Sequence, residues 1–283
     1  MPRTLTLIRA LEVDDVARSL AQNLCAAGAE VIFVCDETRG AVVTAPYEKI
    51  SLTEARLGAL GLAPLPAKWG WLCGDMCYYA AAAAYPDYDR YMLLESDVFI
   101  GPQAAQTFVA TMEADEAEVI AAQLDRHAAP KRYSRGLEPM GLDPHWGCIF
   151  PVSRASARAV DHMKTLRLRA IKERPSDKIN DEAILAAAAF EYGLSHISLE
   201  ALLPDMFARS SFDTNPPHLF DAQIAAPDPA KAFHPTVTYA TVKARIASGE
   251  KNYNRHRLRR VLAEAPRDMR RALKAALEEK GAS

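Results

Sequence analysis

Glu95 and Asp97 stand two residues apart, directly after the apolar run Tyr91-Met-Leu-Leu. Residues two apart in an extended segment share a face, so both carboxylates are expected to project together from the end of a buried strand. Two carboxylates ~4 Å apart repel by about 1 kcal/mol in water and roughly 4 kcal/mol at an effective dielectric of 20. That repulsion calls for a compensating cation, and a hard divalent ion, Mn2+ or Mg2+, suits oxygen ligands. The plainer alternative is that one carboxylate caps the next helix while the other faces solvent. Other reactive side chains also follow apolar runs: Arg9 after 5–8 and Asp36-Glu37 after 31–34. Asn180-Asp181-Glu182 opens a helical pattern with Ile184, Leu185 and Ala188 on its core face.

Residues 5–8 read as a first strand, followed by Val13, Val16, Leu20, Leu24 and Ala27 at helical spacing. Gly28 stops that helix, and the β-branched and aromatic run 31–34 is a second strand. Strand, helix and strand within so short a stretch form a βαβ unit, hence a parallel sheet. Residues 91–94 are a third strand, and Gly101-Pro102 starts a helix through Phe108, Val109 and Met112. Further strands are expected at 119–122, 149–152 and 197–199. Helices are expected at 153–170, with Ser153 as cap, and at 181–192, closed by Gly193. Residues 125–147 and the proline-rich 204–235 are aperiodic, and loops this long are more often functional than structural. The expected fold is α/β: a mostly parallel, Rossmann-like central sheet flanked by helices over residues 1–240, followed by a basic helical extension over 241–283. Ligands of such sheets sit at the C-terminal ends of the strands.

The chain of 283 residues is 49% hydrophobic and 25% charged, which excludes intrinsic disorder, a collagen-like chain and a disulfide scaffold. Five scattered cysteines, with Cys73 and Cys77 four apart, are no zinc knuckle and point to reduced thiols. Neither a secretory signal nor a membrane span is visible, since the run 80–84 is far short of the ~20 residues a span needs. A cytoplasmic protein is expected. The net charge of −2 hides an asymmetry. Residues 243–283 hold 12 Lys/Arg against 5 Asp/Glu, and the rest hold 22 against 31. The basic tail is expected to dock weakly on an anionic membrane or a lipid-linked acceptor, or else to pack as a solvated helix on the acidic body. Its Arg-rich face, opposite Leu258, Val261, Leu262, Met269, Leu273 and Leu277, suits an interfacial helix over 255–280 at the inner face of a membrane. No Gly-x-Gly-x-x-Gly, Walker loop or nucleophile elbow is present, and no nucleic-acid partner is expected.

The stretch Trp69-Gly-Trp-Leu-Cys-Gly-Asp75, the helical run to Tyr85, and Pro86-Asp-Tyr-Asp-Arg-Tyr-Met-Leu-Leu-Glu95-Ser-Asp97 together resemble the GT-A glycosyltransferases. Glu95 stands where the family's Asp-x-Asp motif has its first Asp. The resemblance implies Mn2+ or Mg2+ on the diphosphate of a nucleotide-sugar donor, a UDP-sugar being favoured. Glu95, Asp97 and His234 are then the metal ligands, and Arg9, Asp36, Trp69, Asp75 and Ser96 contact the donor. Asp181, and after it Glu182, is the candidate general base, and the 141–147 stretch with Asp143, His145 and Trp146 is the acceptor loop. The implied reaction moves the sugar to a hydroxyl of a carbohydrate or glycolipid acceptor, such as a cell-surface glycan in polysaccharide biosynthesis.

Each of these residues also has an ordinary reading. Asp36 suits a turn, Asp75 a helix cap, Trp69 and Trp71 packing, and the Asp181-Glu182 pair the dipole of its own helix. A catalytically silent nucleotide- or sugar-binding module is one rival function. Nucleotidyl transfer is a weaker rival, because Ile8-Arg-Ala-Leu-Glu-Val carries no glycine to wrap a phosphate.

Overall fold

Side-chain alternation in the central strands divides the interior into two cores, one on each face of a sheet. The computed structural model describes residues 2–173, 179–249 and 253–281. Its strands are β1 (Thr4–Ala10), β2 (Glu30–Asp36), β3 (Lys49–Leu52), β4 (Arg90–Glu95), β5 (Phe99–Ile100), β6 (Val119–Arg126), β7 (Trp146–Ser156) and β8 (His196–Ser198). Three short ones follow: β9 (His218–Leu219), β10 (Ala232–Phe233) and β11 (Thr236–Val237). Among the described residues, seven strands form the central sheet in the order β3-β2-β1-β4-β7-β6-β8. β1 pairs in parallel with β2 and β4, and β7 runs antiparallel between β4 and β6. The architecture is the expected α/β one, with a mostly parallel central sheet flanked by helices.

Leu5 and Leu7 of β1, Ile32 and Val34 of β2, and Tyr91 and Leu93 of β4 face one core. Helices Met76–Ala84, Ala157–Glu173 and Asp181–Glu191 cover it. Ile8 and Ala10, Phe33 and Cys35, and Met92 and Leu94 face the other, under helices Asp15–Ala26 and Pro102–Ala114. The same alternation continues to the strand ends. Arg9, Asp36 and Glu95 therefore share the face of the first core at the C-terminal edge, and Arg9 and Glu95 are register partners.

Several boundaries differ from the sequence reading. β7 runs on through Ser156, so no helix begins at 153. Ser153 is a strand residue paired with both neighbours, its hydroxyl 2.7 Å from Tyr78 Oη. Ser156 does the capping, accepting from the Ala159 amide at 3.0 Å. The edge strand β3 was not expected, since Lys49-Ile-Ser-Leu is too short to show a period. β7 carries one more tie: the buried Arg154 guanidinium donates to the carbonyls of Met112, Asp115 and Ala117, where helix Pro102–Ala114 ends.

Asp75 makes no capping hydrogen bond. It lies fully buried with Arg167 of helix Ala157–Glu173, in a two-toothed pair at 2.8 Å from Nε and 2.7 Å from Nη2. Tyr79 Oη donates to the same carboxylate at 2.6 Å, and Arg167 Nη1 donates to Ile179 O at 3.1 Å. A buried pair needs this degree of satisfaction, because desolvating two charges costs several kcal/mol per ion. A carboxylate so enclosed does not face a ligand, which sets the expected donor-sugar contact of Asp75 aside.

Helices Tyr239–Ser248, Arg259–Glu264 and Arg267–Gly281 make up the described part of the tail; residues 250–252 and 282–283 of the expected 241–283 extension lie outside the described residues. The break falls at Pro266, as its missing amide requires. Leu258, Val261 and Leu273 are fully buried and join Leu219 and Val237 in a third core, with Met269 and Leu277 packed against it. The apolar stripe expected to lie on a membrane is thus turned inward, and the interfacial-helix expectation fails for that reason. No helix among the described residues is long and apolar enough to cross a membrane.

Removing Arg167 strands the Asp75 carboxylate in the core. Arg167→Met is expected to lower the unfolding free energy by about 3–5 kcal/mol, measured by urea denaturation. Arg167→Lys is expected to recover only part of it, since a point charge cannot make both contacts.

Candidate active site

The C-terminal edge of β1, β2 and β4 forms the floor of a cleft of about 1250 Å³. Arg9, Asp36, Trp69, Glu95, Ser96 and Asp97 all line it. The Arg9 guanidinium is the hub. Its Nη1 donates to Glu95 Oε1 at 2.8 Å and to Asp181 Oδ2 at 3.3 Å, and its Nη2 donates to Gly70 O at 2.6 Å. Burial opposes a charge here, but Glu95 and Asp181 overcome it and hold the guanidinium firmly protonated.

The acid-x-acid motif converges by a turn rather than by the strand pleat. β4 stops at Glu95, and the Val98 amide donates back to Glu95 O at 3.1 Å, while the Ser96 amide donates to Arg9 O at 3.1 Å. His234 arrives from the far end of the proline-rich segment. β10 pairs antiparallel with β5, immediately after the motif, and the Thr236 amide donates to Asp97 O at 2.8 Å. His234 Nε2 lies 3.4 Å from Asp97 Oδ1 and 3.8 Å from Glu95 Oε2.

One ligand atom from each of Glu95, Asp97 and His234 lies within 4.8 Å of the others. Donors around an ion at about 2.1 Å lie no more than roughly 4.2 Å apart, and both His234 distances already fall inside that limit. His234 Nδ1 is 2.8 Å from the Asp213 carbonyl. A proton held there leaves the Nε2 lone pair aimed at the two carboxylates, the usual outer-shell arrangement for a ligating histidine. Burial raises the Glu95 carboxyl above its ordinary value, and Asp97 pushes the same way against Arg9 and His234. Two hard oxygens and one imidazole, crowded enough to resist a full negative charge, fit Mn2+ or Mg2+.

Asp36 accepts from the Thr38 amide and hydroxyl at 3.1 and 2.7 Å. Its turn role and its place in the cleft therefore coexist. Trp69 begins the short helix Trp69–Leu72, and Trp71 is 59% exposed beside it, with its ring edge-on to Tyr133 at 5.1 Å. Gly70 and Gly74 give this loop its close approach. A Cβ at Gly70 would lie 2.7 Å from Asp36 Oδ2, and one at Gly74 would lie 2.6 Å from Asp181 Oδ2.

Asp181 is only 4% exposed and accepts from the Gly74 amide at 2.8 Å as well as from Arg9. Burial lifts its carboxyl to about 8, against the pull of Arg9. A carboxyl so enclosed positions Arg9 and the glycine loop, and it lies apart from the cleft lining. Glu182 is half-buried, with Oε2 3.0 Å from Asn180 Nδ2, and like Asp181 it stands behind the cleft lining rather than in it. The remaining expected residues do not line the cleft. Asp143 pairs with Arg126 at 2.9 Å and with His145 Nδ1 at 2.7 Å, and Trp146 stacks on Phe190 with centroids 3.5 Å apart. These contacts brace the 127–145 loop, from which Tyr133 reaches Trp71.

Reading the sequence missed Lys68 and Arg39 on the cleft wall, and left the basic tail between a phospholipid surface and the acidic body; Arg245, Arg257 and Arg259 line the cleft too. Lys68 could have been found beside Trp69. The tail arginines carry no local signal of where their helices dock.

No protein-family model and no curated protein matches the chain. Among solved structures it is similar to a glycosyltransferase involved in the glycosylation of the major capsid of PBCV-1. The two share 16% identity over 70% of this chain and 82% of that one, with a TM-score of 0.38. It is also similar to mouse Xyloside xylosyltransferase 1, at 10% identity over 82% of this chain and 97% of that one, with a TM-score of 0.43.

The trio predicts a single divalent-cation site. Titration with Mn2+, followed by calorimetry or the loss of its free paramagnetic signal, is expected to give one site. Asp97→Asn is expected to abolish it, and His234→Ala to weaken it by more than the roughly 10–100-fold that loss of an outer-shell partner costs.

Proposed function

We propose that the protein is a metal-dependent glycosyltransferase that moves a sugar from a nucleoside-diphosphate-sugar donor to a hydroxyl acceptor. The observation that carries this reading is the convergence of Glu95, Asp97 and His234 at the C-terminal edge of β4, where Glu95 and Asp97 line a cleft together with Asp36 and Trp69. Glu95, Asp97 and His234 would hold Mn2+ or Mg2+, which when bound supplies positive charge against a departing diphosphate. A UDP-sugar is the favoured donor, on the family resemblance.

On this proposal, the chain's own residues take these roles. Asp36 accepts hydroxyls of the donor's ribose at the end of β2, and Trp69 offers a flat apolar face to the base or sugar. Ser96 holds the turn between the two acidic ligands. Arg9 orients Glu95 through its 2.8 Å contact and favours its charged form, and so acts through it as a positioning residue. Asp181 secures Arg9 and the Gly74 amide. Glu182, more open than Asp181, takes the acceptor's hydroxyl proton as the general base. Trp71 and Tyr133 border the acceptor side, and Asp143, His145 and Trp146 stiffen the loop that carries Tyr133. A carbohydrate or glycolipid acceptor fits such an aromatic border, and polysaccharide biosynthesis is the setting for it.

The test is turnover of a panel of nucleotide-sugars, read as nucleoside diphosphate released with and without EDTA. Metal-dependent release from at least one donor is expected, as hydrolysis or as transfer. Glu182→Gln is expected to lower kcat about 10²–10⁴-fold with donor KM nearly unchanged, the usual range for a general base. Nucleotide binding without release from any donor would instead identify a silent binding module.

A further inference from the structure

The basic tail was the one strong sequence feature that the transfer reading left without a task. The described tail residues that line the cleft are Thr241, Arg245, Tyr253, His256, Arg257 and Arg259, and there is no carboxylate among them. Other tail arginines are occupied in holding the tail itself. Arg255 pairs with Glu278, Arg260 donates to Pro216 O at 3.0 Å, and Arg270 donates to Ala265 O at 2.9 Å. Arg245, Arg257 and Arg259 form no ion pair with an acidic side chain among the described residues. Arg259 is steered only by His256, with Nη1 3.3 Å from its carbonyl oxygen. Three guanidinium groups lining one concavity, without an ion pair among the described residues although Glu12 and Asp14 line the same cleft, raise the local concentration of anions.

The wall is fixed to the rest of the cleft. Val237, one residue beyond the Thr236 amide that grips Asp97, belongs to the same apolar core as Leu258, Val261 and Leu273. The arginines thus stand on a packed support rather than on a free tail. The cleft of about 1250 Å³ exceeds the roughly 300–1,000 Å³ typical of sites for one small ligand. A metal on Glu95 and Asp97 would hold one diphosphate, and a cleft of this size has room for a second anion beside it.

We propose that Arg245, Arg257 and Arg259 form a second, metal-independent oxyanion subsite in the cleft, which receives a phosphate group of the acceptor. Guanidinium forks match phosphate oxygens in pairs, which suits this chemistry better than a carboxylate-free hydroxyl acceptor would require. The inference rests on the transferase reading for the word acceptor, but the subsite itself does not. A phosphorylated sugar and a lipid-linked phosphate share the recognised group. The concave setting and the inward-turned apolar stripe both favour a single phosphate entering the cleft over a flat anionic bilayer.

The probe is inorganic pyrophosphate, titrated calorimetrically into the full chain in EDTA, and again in the presence of Mn2+ and uridine diphosphate. Binding is expected in both conditions. It is expected to weaken at least tenfold in Arg257→Ser/Arg259→Ser and to be unchanged in Asp97→Asn, with far-ultraviolet circular dichroism checking that each variant is folded. Equal affinity in wild type and the arginine variant would overturn the subsite. Complete exclusion of pyrophosphate by bound uridine diphosphate would overturn its independence from the donor. Flotation on phosphatidylserine vesicles, lost in the arginine variant while pyrophosphate binding is absent, would assign the arginines to a membrane surface and overturn the proposal. Failure of every nucleotide-sugar to turn over, with metal-free pyrophosphate binding intact, would sink the transferase reading and leave the subsite standing.

Discussion

Three carboxylates, those of Glu95, Asp97 and Asp181, gather near one edge of the sheet, and a single half-buried guanidinium keeps that gathering possible. Arg9 touches Glu95 and Asp181 and is anchored by the Gly70 carbonyl. Arg9 draws both carboxyls down against the burial that raises them, and it gives the turn that presents Asp97 a charged partner at its start. Arg9 can do this because it is the register partner of Glu95 across the parallel ladder of β1 and β4. It is also placed on the same face as Asp36 by the two-residue repeat. The chemistry of the cleft thus depends on strand register: a shift of one residue would send Arg9 into the opposite core.

The next layer outward exists to let Arg9 be reached. Gly70 and Gly74 are the points where backbone comes too close for a side chain. The loop carrying them is held by Asp75, whose carboxylate is locked to Arg167 beneath it. A buried ion pair is poor evidence for added stability, because well-packed apolar residues often do as well. Its value here is directional. It ties the start of helix Met76–Ala84 to helix Ala157–Glu173, and so places the Gly74 amide on Asp181. Tyr79 completes the shell. Asp75, expected to touch a donor, supports the site from below.

What could be read from the sequence followed from periodicity. β1, β2 and β4, the first helix, and the helix after Gly101 each repeat with the right period, and the strand ends named Arg9, Asp36 and Glu95 without further help. His234 was picked by resemblance; no local pattern leads to it, because the pairing of β10 with β5 joins segments far apart in the chain. Ser153 was mistaken for a cap because a serine before a helical pattern looks the same whether the strand has ended or not. The buried partner of Asp75 was invisible for a related reason. Arg167 sits at a core position of an otherwise ordinary amphipathic helix, and only the packing of two helices shows that a charge is accommodated there.

The tail shows how composition can be right and its interpretation wrong. Segregation of +7 onto the last 41 residues was plain from counting, and an anionic counterpart was a sound expectation. The error lay in assigning the apolar stripe of those helices to an outside surface. Leu258, Val261 and Leu273 are needed to give three short helices a core of their own with Leu219 and Val237. Short helices in water gain little from propensity and depend on such packing. Once that stripe is spent inward, the charged face must turn elsewhere, and for Arg245, Arg257 and Arg259 it turns onto the cleft. The same sequence pattern that resembles a membrane-surface helix is therefore also what a wall needs when it must bury one side and present cations from the other.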